Sequence, residues 1–161
     1  MSRSDLASTT CSVARAIERV GDPWTLMILR EMFLGSRRFD DLQRKTGASP
    51  HTLSQRLKQL CADEILVTRP YTTSPPRHEY FLTEKGLDLW PVIVMLRSWG
   101  EKWLEDGKSP AIGLTHKSCG GAMTPTLVCS TCGEPVGARD SRVHLSERMR
   151  LERNEHRGSS H

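Results

Sequence analysis

A helix that begins at Ser49 and Pro50 constrains the fold of this chain more than any other feature. Ser is a favoured N-cap, and Pro suits the first helical position, where a backbone N–H would have no partner within the helix. Leu53, Leu57 and Leu60 then recur at a helical period and predict a buried stripe. The other positions carry His51, Thr52, Ser54, Gln55, Arg56, Lys58 and Gln59. This face has no carboxylate and suits phosphate oxygens and base edges, although an ordinary solvated helix is the alternative.

A shorter helix is predicted just before this one. Phe39 and Leu42 are three residues apart, which indicates about two helical turns that end near Thr46. Gly47 follows, and glycine suits a C-cap because it adopts a positive φ without a Cβ clash. Two helices joined by residues 47–49 predict a helix-turn-helix.

Beyond Ala62 the apolar period changes from 3.6 to 2, which predicts a β-hairpin. The predicted strands cover residues 65–68 and 79–82. The segment from Arg69 to Arg77 is polar and proline-rich, and we expect it to form a loop rather than the interior of a strand. We call this predicted hairpin the wing. An arginine at its tip suits the negative potential of a narrow minor groove in DNA. The sequence therefore predicts a winged helix-turn-helix in a mainly α, α+β chain.

Charge is concentrated on the predicted helix-turn-helix. Residues 36–60 carry six basic and two acidic residues, a balance of +4, which equals the formal net charge of the whole chain. Residues 84–107 carry three basic and five acidic residues, a balance of −2. A polyanion would therefore be steered to one part of the molecule. The predicted DNA-contacting residues are Arg37, Arg38, Ser49, His51, Thr52, Ser54, Gln55, Arg56, Lys58, Arg69 and Arg77.

Several motifs, taken in order, resemble the HxlR family of bacterial transcriptional regulators. They are Cys11-Ser12-Val13 with Ile17, Gly21-Asp22-Pro23-Trp24-Thr25-Leu26-Met27-Ile28-Leu29-Arg30, Arg38-Phe39, Ser54-Gln55-Arg56-Leu57, and Tyr80-Phe81-Leu82-Thr83 followed by Gly86. The resemblance covers residues 11 to about 105. It implies a homodimeric winged helix-turn-helix repressor or activator, with residues 50–60 as recognition helix and residues 69–77 as wing. Family members often carry Gly-Lys where this chain has Asp22-Pro23, a pair that suits a helix cap and a helix start.

A helix predicted to follow Thr83 carries more apolar surface than one small domain needs to cover. Its apolar face consists of Leu87, Trp90, Ile93, Val94, Leu96, Trp99 and Trp103. Pro91 lies inside this run and is expected to kink or interrupt the helix. The surplus predicts a dimerisation helix, and packing within one monomer is the alternative. Two-fold symmetry would place two recognition helices about 34 Å apart, which suits a palindromic operator.

A second motif, ligand-x-x-Cys-Gly, occurs twice beyond that helix, with nine residues between Cys119 of the first copy and Cys129 of the second. The four ligands would be His116, Cys119, Cys129 and Cys132. Two intervening residues let both side chains of a pair reach one tetrahedral ion, and the glycine permits a tight turn. Three thiolates and one imidazole leave no open position, so we predict structural zinc in a zinc-ribbon-like extension. A ribbon that has lost its metal or is partly oxidised, and a redox pair at the second motif, are the alternatives.

Cys11 and Cys61 lie outside the ribbon. In some members of the HxlR family, the cysteine that matches Cys11 senses oxidants, electrophiles or quinones, so the resemblance implies redox sensing as a secondary hypothesis. Cys11 precedes a helix whose N-terminus would stabilise a thiolate, and Arg15 follows one turn later. Packing at the dimer interface is the alternative for Cys11, and Cys61 is predicted to be a small core residue.

The 161 residues suit one domain with an appendage. We assign residues 1–107 to the DNA-binding and dimerisation domain, residues 108–138 to the extension and residues 139–161 to a polar tail, helical or disordered. No apolar run approaches the roughly 20 residues that span a bilayer, and the N-terminus has no apolar signal region. We therefore expect a cytoplasmic protein without a membrane partner.

An enzyme is not expected, because the chain has no Gly-rich phosphate loop, no G-x-S-x-G elbow and no vacant position on the predicted metal. The rival function is that of an RNA-binding or ribosome-associated zinc-ribbon protein. That function predicts aromatic stacking residues or a basic ribbon. Residues 109–138 contain no Phe, Tyr or Trp, and Lys117 is their only Lys or Arg. The pattern favours double-stranded DNA as the partner, with a small molecule or an oxidant as the effector.

Overall fold

The computed structural model describes residues 9–74, 76–104 and 112–158, with side chains described as far as Asn154. The helices and strands are α1 Ser12–Val20, α2 Pro23–Phe33, α3 Phe39–Thr46, α4 Pro50–Ala62, β1 Leu66–Thr73, β2 Pro76–Leu82, α5 Glu84–Leu87, α6 Trp90–Trp103 and α7 Glu147–Gly158. The chain forms two compact units, which divide between Leu89 and Trp90, and the first unit resumes at Leu145. The predicted boundary at residues 107 and 108, the first eight residues and Pro75 of the wing lie outside the described residues.

Local signals start and end the two helices of the predicted helix-turn-helix. The hydroxyl of Ser49 accepts a hydrogen bond from the backbone N–H of Thr52 at 3.1 Å, and Pro50 is the first residue of α4. Gly47 ends α3 with a φ of 74°, in the left-handed region that glycine occupies without strain. Both caps and the two-helix arrangement are confirmed.

The core of the first unit is built from α2, α3 and α4. The fully buried side chains are Ile28, Leu29, Met32, Leu42, Leu53, Leu57 and Leu60. The predicted leucine stripe of α4 is therefore confirmed. Burial of each such side chain contributes roughly 1.5–3 kcal/mol, and this set holds α4 with its opposite face outward.

The hairpin is longer than predicted. Its antiparallel register runs from Leu66 opposite Leu82 to Thr73 opposite Pro76. The expectation of a loop from residue 69 to residue 77 is wrong, because β1 and β2 pair through most of that segment. The outer edge of β2 is bridged by Arg38 at Glu79, whereas Pro70 lies on β1, an edge strand of a two-stranded ribbon, where a proline is tolerated. An irregularity in the register follows Pro70.

Thr83 caps a helix, as predicted, but that helix is only one turn long. The Thr83 hydroxyl accepts the N–H of Gly86 at 3.1 Å. Gly86 has no room for a side chain, because a Cβ there would lie 2.3 Å from the carbonyl oxygen of Ile65. The apolar run is interrupted after α5, and α6 begins at Trp90 with Pro91 as its second residue. The predicted interruption near Pro91 is confirmed, since proline suits the first turn of a helix.

The ends of the first unit meet at the residues before α1. The carboxylate of Glu152 on α7 accepts the backbone N–H of Thr10 at 2.8 Å and also the Thr10 hydroxyl. The polar tail thus contains a helix, and its contact with Thr10 lies one residue before Cys11. Among the described helices, none combines the length and apolar character that a membrane crossing requires.

Candidate nucleic-acid interface

The outward face of α4 presents a row of exposed polar side chains. His51, Gln55 and Lys58 lie at i, i+4 and i+7, and all three are exposed. Ser49 at the N-cap is exposed, whereas Thr52 and Ser54 flank the row and are half-buried. No ion pair with Lys58 occurs among the described side chains. The leucine stripe therefore leaves a polar and cationic row free to contact a ligand.

Unlike His51, Gln55 and Lys58, the predicted DNA-contacting residue Arg56 is held in an ion pair within the protein. Its Nη2 lies 2.9 Å from Oδ2 of Asp22, and its side chain is only 28% exposed. The other oxygen of the same carboxylate accepts the N–H groups of Trp24 and Thr25 and caps α2. Asp22 thus connects the start of α2 to the middle of α4. This geometry makes Arg56 a residue that positions α4, and its predicted contact with bases stays a prediction.

Arginines at the base of the wing stack on aromatic rings. The guanidinium of Arg38 lies 4.5 Å from the ring centroid of Tyr71, and its Nε lies 2.8 Å from Glu79. The hydrogen bond to Glu79 raises the pKa of Arg38 above its ordinary value. Arg69 lies 4.7 Å from the ring centroid of Phe81. These planar contacts hold two cations in defined positions beside the hairpin.

Arg37 is bound to the protein backbone, whereas Arg77 is exposed to solvent. Arg37 donates to the carbonyl oxygens of Met32 at 2.7 Å and Ser36 at 3.2 Å, so much of its donor capacity serves the fold. Arg77 is exposed near the end of the hairpin, opposite Thr72. Within the described residues Arg77 forms no ion pair. Of the predicted wing cations, Arg77 is the most available to a phosphate.

The ion pairs of Arg38 and Arg56 were missed by the sequence analysis. Glu79 is the only carboxylate between Leu66 and Leu82, which would have singled it out as a partner for a nearby arginine. Asp22 offered no such signal, because it is distant from Arg56 along the chain and its helix-capping role already explained it. Tertiary packing alone brings those two side chains together.

The α6 helix leaves most of its apolar side chains exposed within the second unit. Val94 is its only buried residue. The exposed members are Val92, Met95, Leu96, Trp99 and Trp103. A group of large apolar side chains on one helix marks an interaction surface.

The two cysteines outside the extension differ in environment. Cys11 is the N-cap residue of α1 and is half-buried. The guanidinium of Arg15 donates to the carbonyl oxygen of Thr9 at 3.1 Å, so it folds back across the residues around Cys11. Burial raises the pKa of Cys61, which disfavours the reactive thiolate there. Cys61 is therefore not favoured as a reactive site, and oxidant sensing by Cys11 stays a prediction.

The predicted zinc ligands occur as two pairs. Nδ1 of His116 lies 3.3 Å from Sγ of Cys119. In the second pair, the backbone N–H groups of Cys132 and Thr131 lower the pKa of Cys129 to about 7. Across the described residues, no three or more His, Cys, Asp or Glu side chains are close enough to hold one metal ion. Zinc binding stays a prediction on this geometry.

Relatives of this chain are transcriptional regulators by name. An HTH-type transcriptional regulator of Mycobacterium tuberculosis is 47% identical over 129 residues, which cover 80% of this chain and 82% of the relative. An HTH-type regulator of Synechocystis is 35% identical over 96 residues, with coverages of 59% and 71%. The alignment with the Mycobacterium tuberculosis regulator spans 129 residues. Residues 1–108 cannot contain it, so it reaches into the C-terminal extension.

Solved structures place the fold among transcription factors. The transcription factor PA1607 has a TM-score of 0.78 and 30% identity, and the match covers 88% of this chain and 99% of that one. The redox regulator HypR, in its reduced form, has a TM-score of 0.54 and 30% identity, with coverages of 57% and 92%. The family model for HxlR-like helix-turn-helix proteins matches residues 19–108. This chain therefore belongs to the HxlR-like helix-turn-helix family of transcriptional regulators.

Proposed function

We propose that this protein binds a palindromic operator in double-stranded DNA as a homodimer, and that it is a regulator rather than an enzyme. The observation that carries the proposal is the exposed row of His51, Gln55 and Lys58 on α4, set on a completely buried leucine stripe. The row offers amide, imidazole and ammonium groups without a carboxylate, which suits base edges and phosphates in a major groove.

The proposal divides the predicted contacts into two kinds. Gln55 and His51 are expected to touch base edges, because they lie on the exposed face near the start of α4. Lys58, Arg69 and Arg77 are expected to contact phosphates, which contribute affinity but little sequence preference. Arg37, Arg38 and Arg56 are held by other groups of the protein, so we expect them to act chiefly by positioning the helix and the wing.

Substitution of Gln55 provides the sharpest test of sequence recognition. An operator would be selected from random DNA, and binding would be measured by fluorescence anisotropy at one salt concentration. We expect Gln55→Ala to lose about 1–3 kcal/mol on the operator and much less on random DNA. Gln59→Ala is the matched control, because Gln59 is also exposed on α4 and its amide donates to Asp63 at 3.0 Å. Equal losses for both variants, or equal losses on both DNAs, would contradict the proposal.

The exposed apolar face of α6 supports the homodimer. Trp99 and Trp103 are 55% and 63% exposed in one chain, and aromatic side chains of this size are typical anchors of interfaces. Light scattering at micromolar concentration is expected to return a dimer for the wild type and a monomer for Trp99→Lys. Val143→Lys is the control, since Val143 is also an exposed apolar residue but lies outside α6. A wild-type monomer would overturn this part of the proposal.

Cys11 is the proposed point of oxidant or electrophile control. The named redox regulator HypR is among the similar structures, and Cys11 lies at a helix N-terminus, where a thiolate is stabilised. Operator binding is expected to change after treatment with diamide or methylglyoxal in the wild type and in Cys61→Ser, and to stay unchanged in Cys11→Ser. Equal responses of the two variants would exclude Cys11 as the sensor.

The rival function, binding of RNA or ribosomes through the extension, makes an opposite prediction. It requires structured RNA to compete with operator DNA and requires the loss of residues 109–138 to abolish nucleic-acid binding. Our proposal expects weak competition by RNA, because the exposed row lies on a helix suited to the major groove of duplex DNA.

A further inference from the structure

The extension contains the same backbone turn twice, at an interval of 13 residues. In the first turn, the N–H of Gly120 donates to the carbonyl of His116 at 2.8 Å, and in the second, Gly133 donates to Cys129 at 2.8 Å. Both glycines have a positive φ, of 71° and 77°. A non-glycine residue would be strained there, so the backbone itself requires the glycine of each ligand-x-x-Cys-Gly motif.

The repeat extends to the residues on either side of each turn. Isolated antiparallel bridges join Thr115 to Ala122 and Val128 to Pro135, again 13 residues apart. Outside the bridges, the N–H of Met123 donates to Leu114 and that of Val136 donates to Leu127, both at 2.8 Å. Few residue types are shared between the two copies apart from the motif itself. A common backbone geometry with so little shared sequence indicates a common task for the motif residues.

No hydrophobic core supports this repeated geometry. None of the described residues from 112 to 144 is buried, and Leu127 and Val128 are 62% and 52% exposed. The cysteines of the extension are unpaired. Segments of about 30 residues rarely order themselves without a core, a disulfide or a metal ion. The extension therefore needs a cross-link of another kind.

The donor atoms suit zinc. In a tetrahedral site with ordinary Zn–N and Zn–S bond lengths, two such ligands lie about 3.6 Å apart. The 3.3 Å separation of His116 Nδ1 and Cys119 Sγ is close to that value. In the second turn, Cys129 and Cys132 occupy the same two positions of the hydrogen-bonded turn as His116 and Cys119 do in the first. Thiolate sulfur and imidazole nitrogen are the donors that zinc binds in structural sites.

We propose that His116, Cys119, Cys129 and Cys132 together bind one Zn²⁺ ion, and that the ion replaces a hydrophobic core in the extension. Each turn supplies two donors, so a single ion joins the two copies of the repeat. The four donors lie as two separate pairs rather than one cluster. Metal binding therefore brings the two turns together. The four ligands fill a tetrahedral shell, and the site is structural rather than catalytic. The proposal is independent of DNA binding.

Metal analysis of the full chain tests the site directly. Protein purified under reducing conditions without a chelator is expected to contain about one equivalent of zinc per chain. Cys119→Ser and Cys132→Ser, each of which removes a donor from a different turn, are expected to lose most of it. Cys61→Ser and His144→Ala are the matched controls, because both residues lie outside the motifs and are expected to retain the full equivalent.

Cobalt replacement tests the ligand set. Co²⁺ added to metal-free protein is expected to give the intense visible bands of a tetrahedral site and a thiolate charge-transfer band, both weakened in the two cysteine variants. Zinc below about a tenth of an equivalent, even after reduced protein is incubated with Zn²⁺, would overturn the proposal. A spectrum of octahedral cobalt, equal metal contents in the variants and the controls, or a disulfide between Cys129 and Cys132 that persists in the purified protein would also overturn it.

Discussion

The first unit and the extension reach order by different physical routes. Among its described residues, the first unit completely buries seven large side chains, and α2, α4 and α5 begin at side chains that cap them. The extension buries none of its described residues, 112–138, yet it repeats one hydrogen-bonded turn at an interval of 13 residues. Both regions contain turns that a glycine with positive φ permits, at Gly47 in the first unit and at Gly120 and Gly133 in the extension. The comparison shows that capping residues and glycines can define a turn in either region. A turn stays ordered only where a hydrophobic core or a cross-link stabilises it.

Removal of metal is expected to separate the two regions most completely. Chelation should make residues 112–144 susceptible to proteolysis and leave the thermal unfolding of the first unit unchanged, because zinc sites contribute on the order of 10 kcal/mol to small domains. Limited proteolysis with mass spectrometry, beside circular dichroism, measures both effects. Equal protection with and without chelator would show that the extension does not depend on a metal.

A pair of leucine substitutions compares the regions by the same chemistry. Leu57→Ala is expected to cost about 2–5 kcal/mol, because Leu57 is 1% exposed and its truncation leaves a cavity. Leu127→Ala in the extension is expected to change stability by less than about 0.5 kcal/mol, since that side chain is largely exposed. Urea unfolding of both variants measures the difference. Similar costs would mean that the extension packs against a surface in solution.

Two substitutions of Asp22 separate capping from ion pairing inside the first unit. Asp22→Ala removes the cap of α2 and the partner of Arg56, and we expect a loss of about 1–3 kcal/mol. Asp22→Asn keeps a good cap and loses only the charge, so its cost should be about 1 kcal/mol or less. Denaturant midpoints measure stability, and operator affinity reports the position of α4. If the Asn variant is as unstable as the Ala variant, the ion pair outweighs the cap.

Substitution of Glu79 is expected to have the smallest effect on stability. Glu79→Gln removes the partner of Arg38, an exposed ion pair that contributes at most about 1 kcal/mol. The freed arginine is expected to strengthen binding to operator and random DNA alike, with a steeper salt dependence. Anisotropy titrations at several salt concentrations measure this slope. A selective gain on the operator alone would assign Arg38 a part in base recognition.

Much of the fold was predictable because its signals are local. The Ser49 cap, the C-cap at Gly47 and the interruption near Pro91 each depend on the conformational limits of one residue and its neighbours. The length of the hairpin was not predictable from composition. Pro70 argues against a strand in the middle of a sheet, but a two-stranded ribbon has an outer edge where a missing N–H costs no ladder bond.

The candidate site was only partly predictable for a related reason. The period of the leucines determines which face of α4 is outward, so the exposed positions of His51, Gln55 and Lys58 follow from the sequence. Whether a cation on that helix is free depends on charges from distant segments. Spacing along the chain contains no information about such partners.

The sequence by itself determined where α2 and α4 begin, where α3 ends, which face of α4 is buried and which residues repeat as ligand-x-x-Cys-Gly. The tertiary structure alone decided that Asp22 holds Arg56, that Glu79 and Tyr71 hold Arg38, and that the extension has no core of its own. The physical reason is how far along the chain each interaction acts. Caps and periodicity act over a few residues of backbone, whereas ion pairs and burial depend on which surfaces packing brings within a few ångströms of each other.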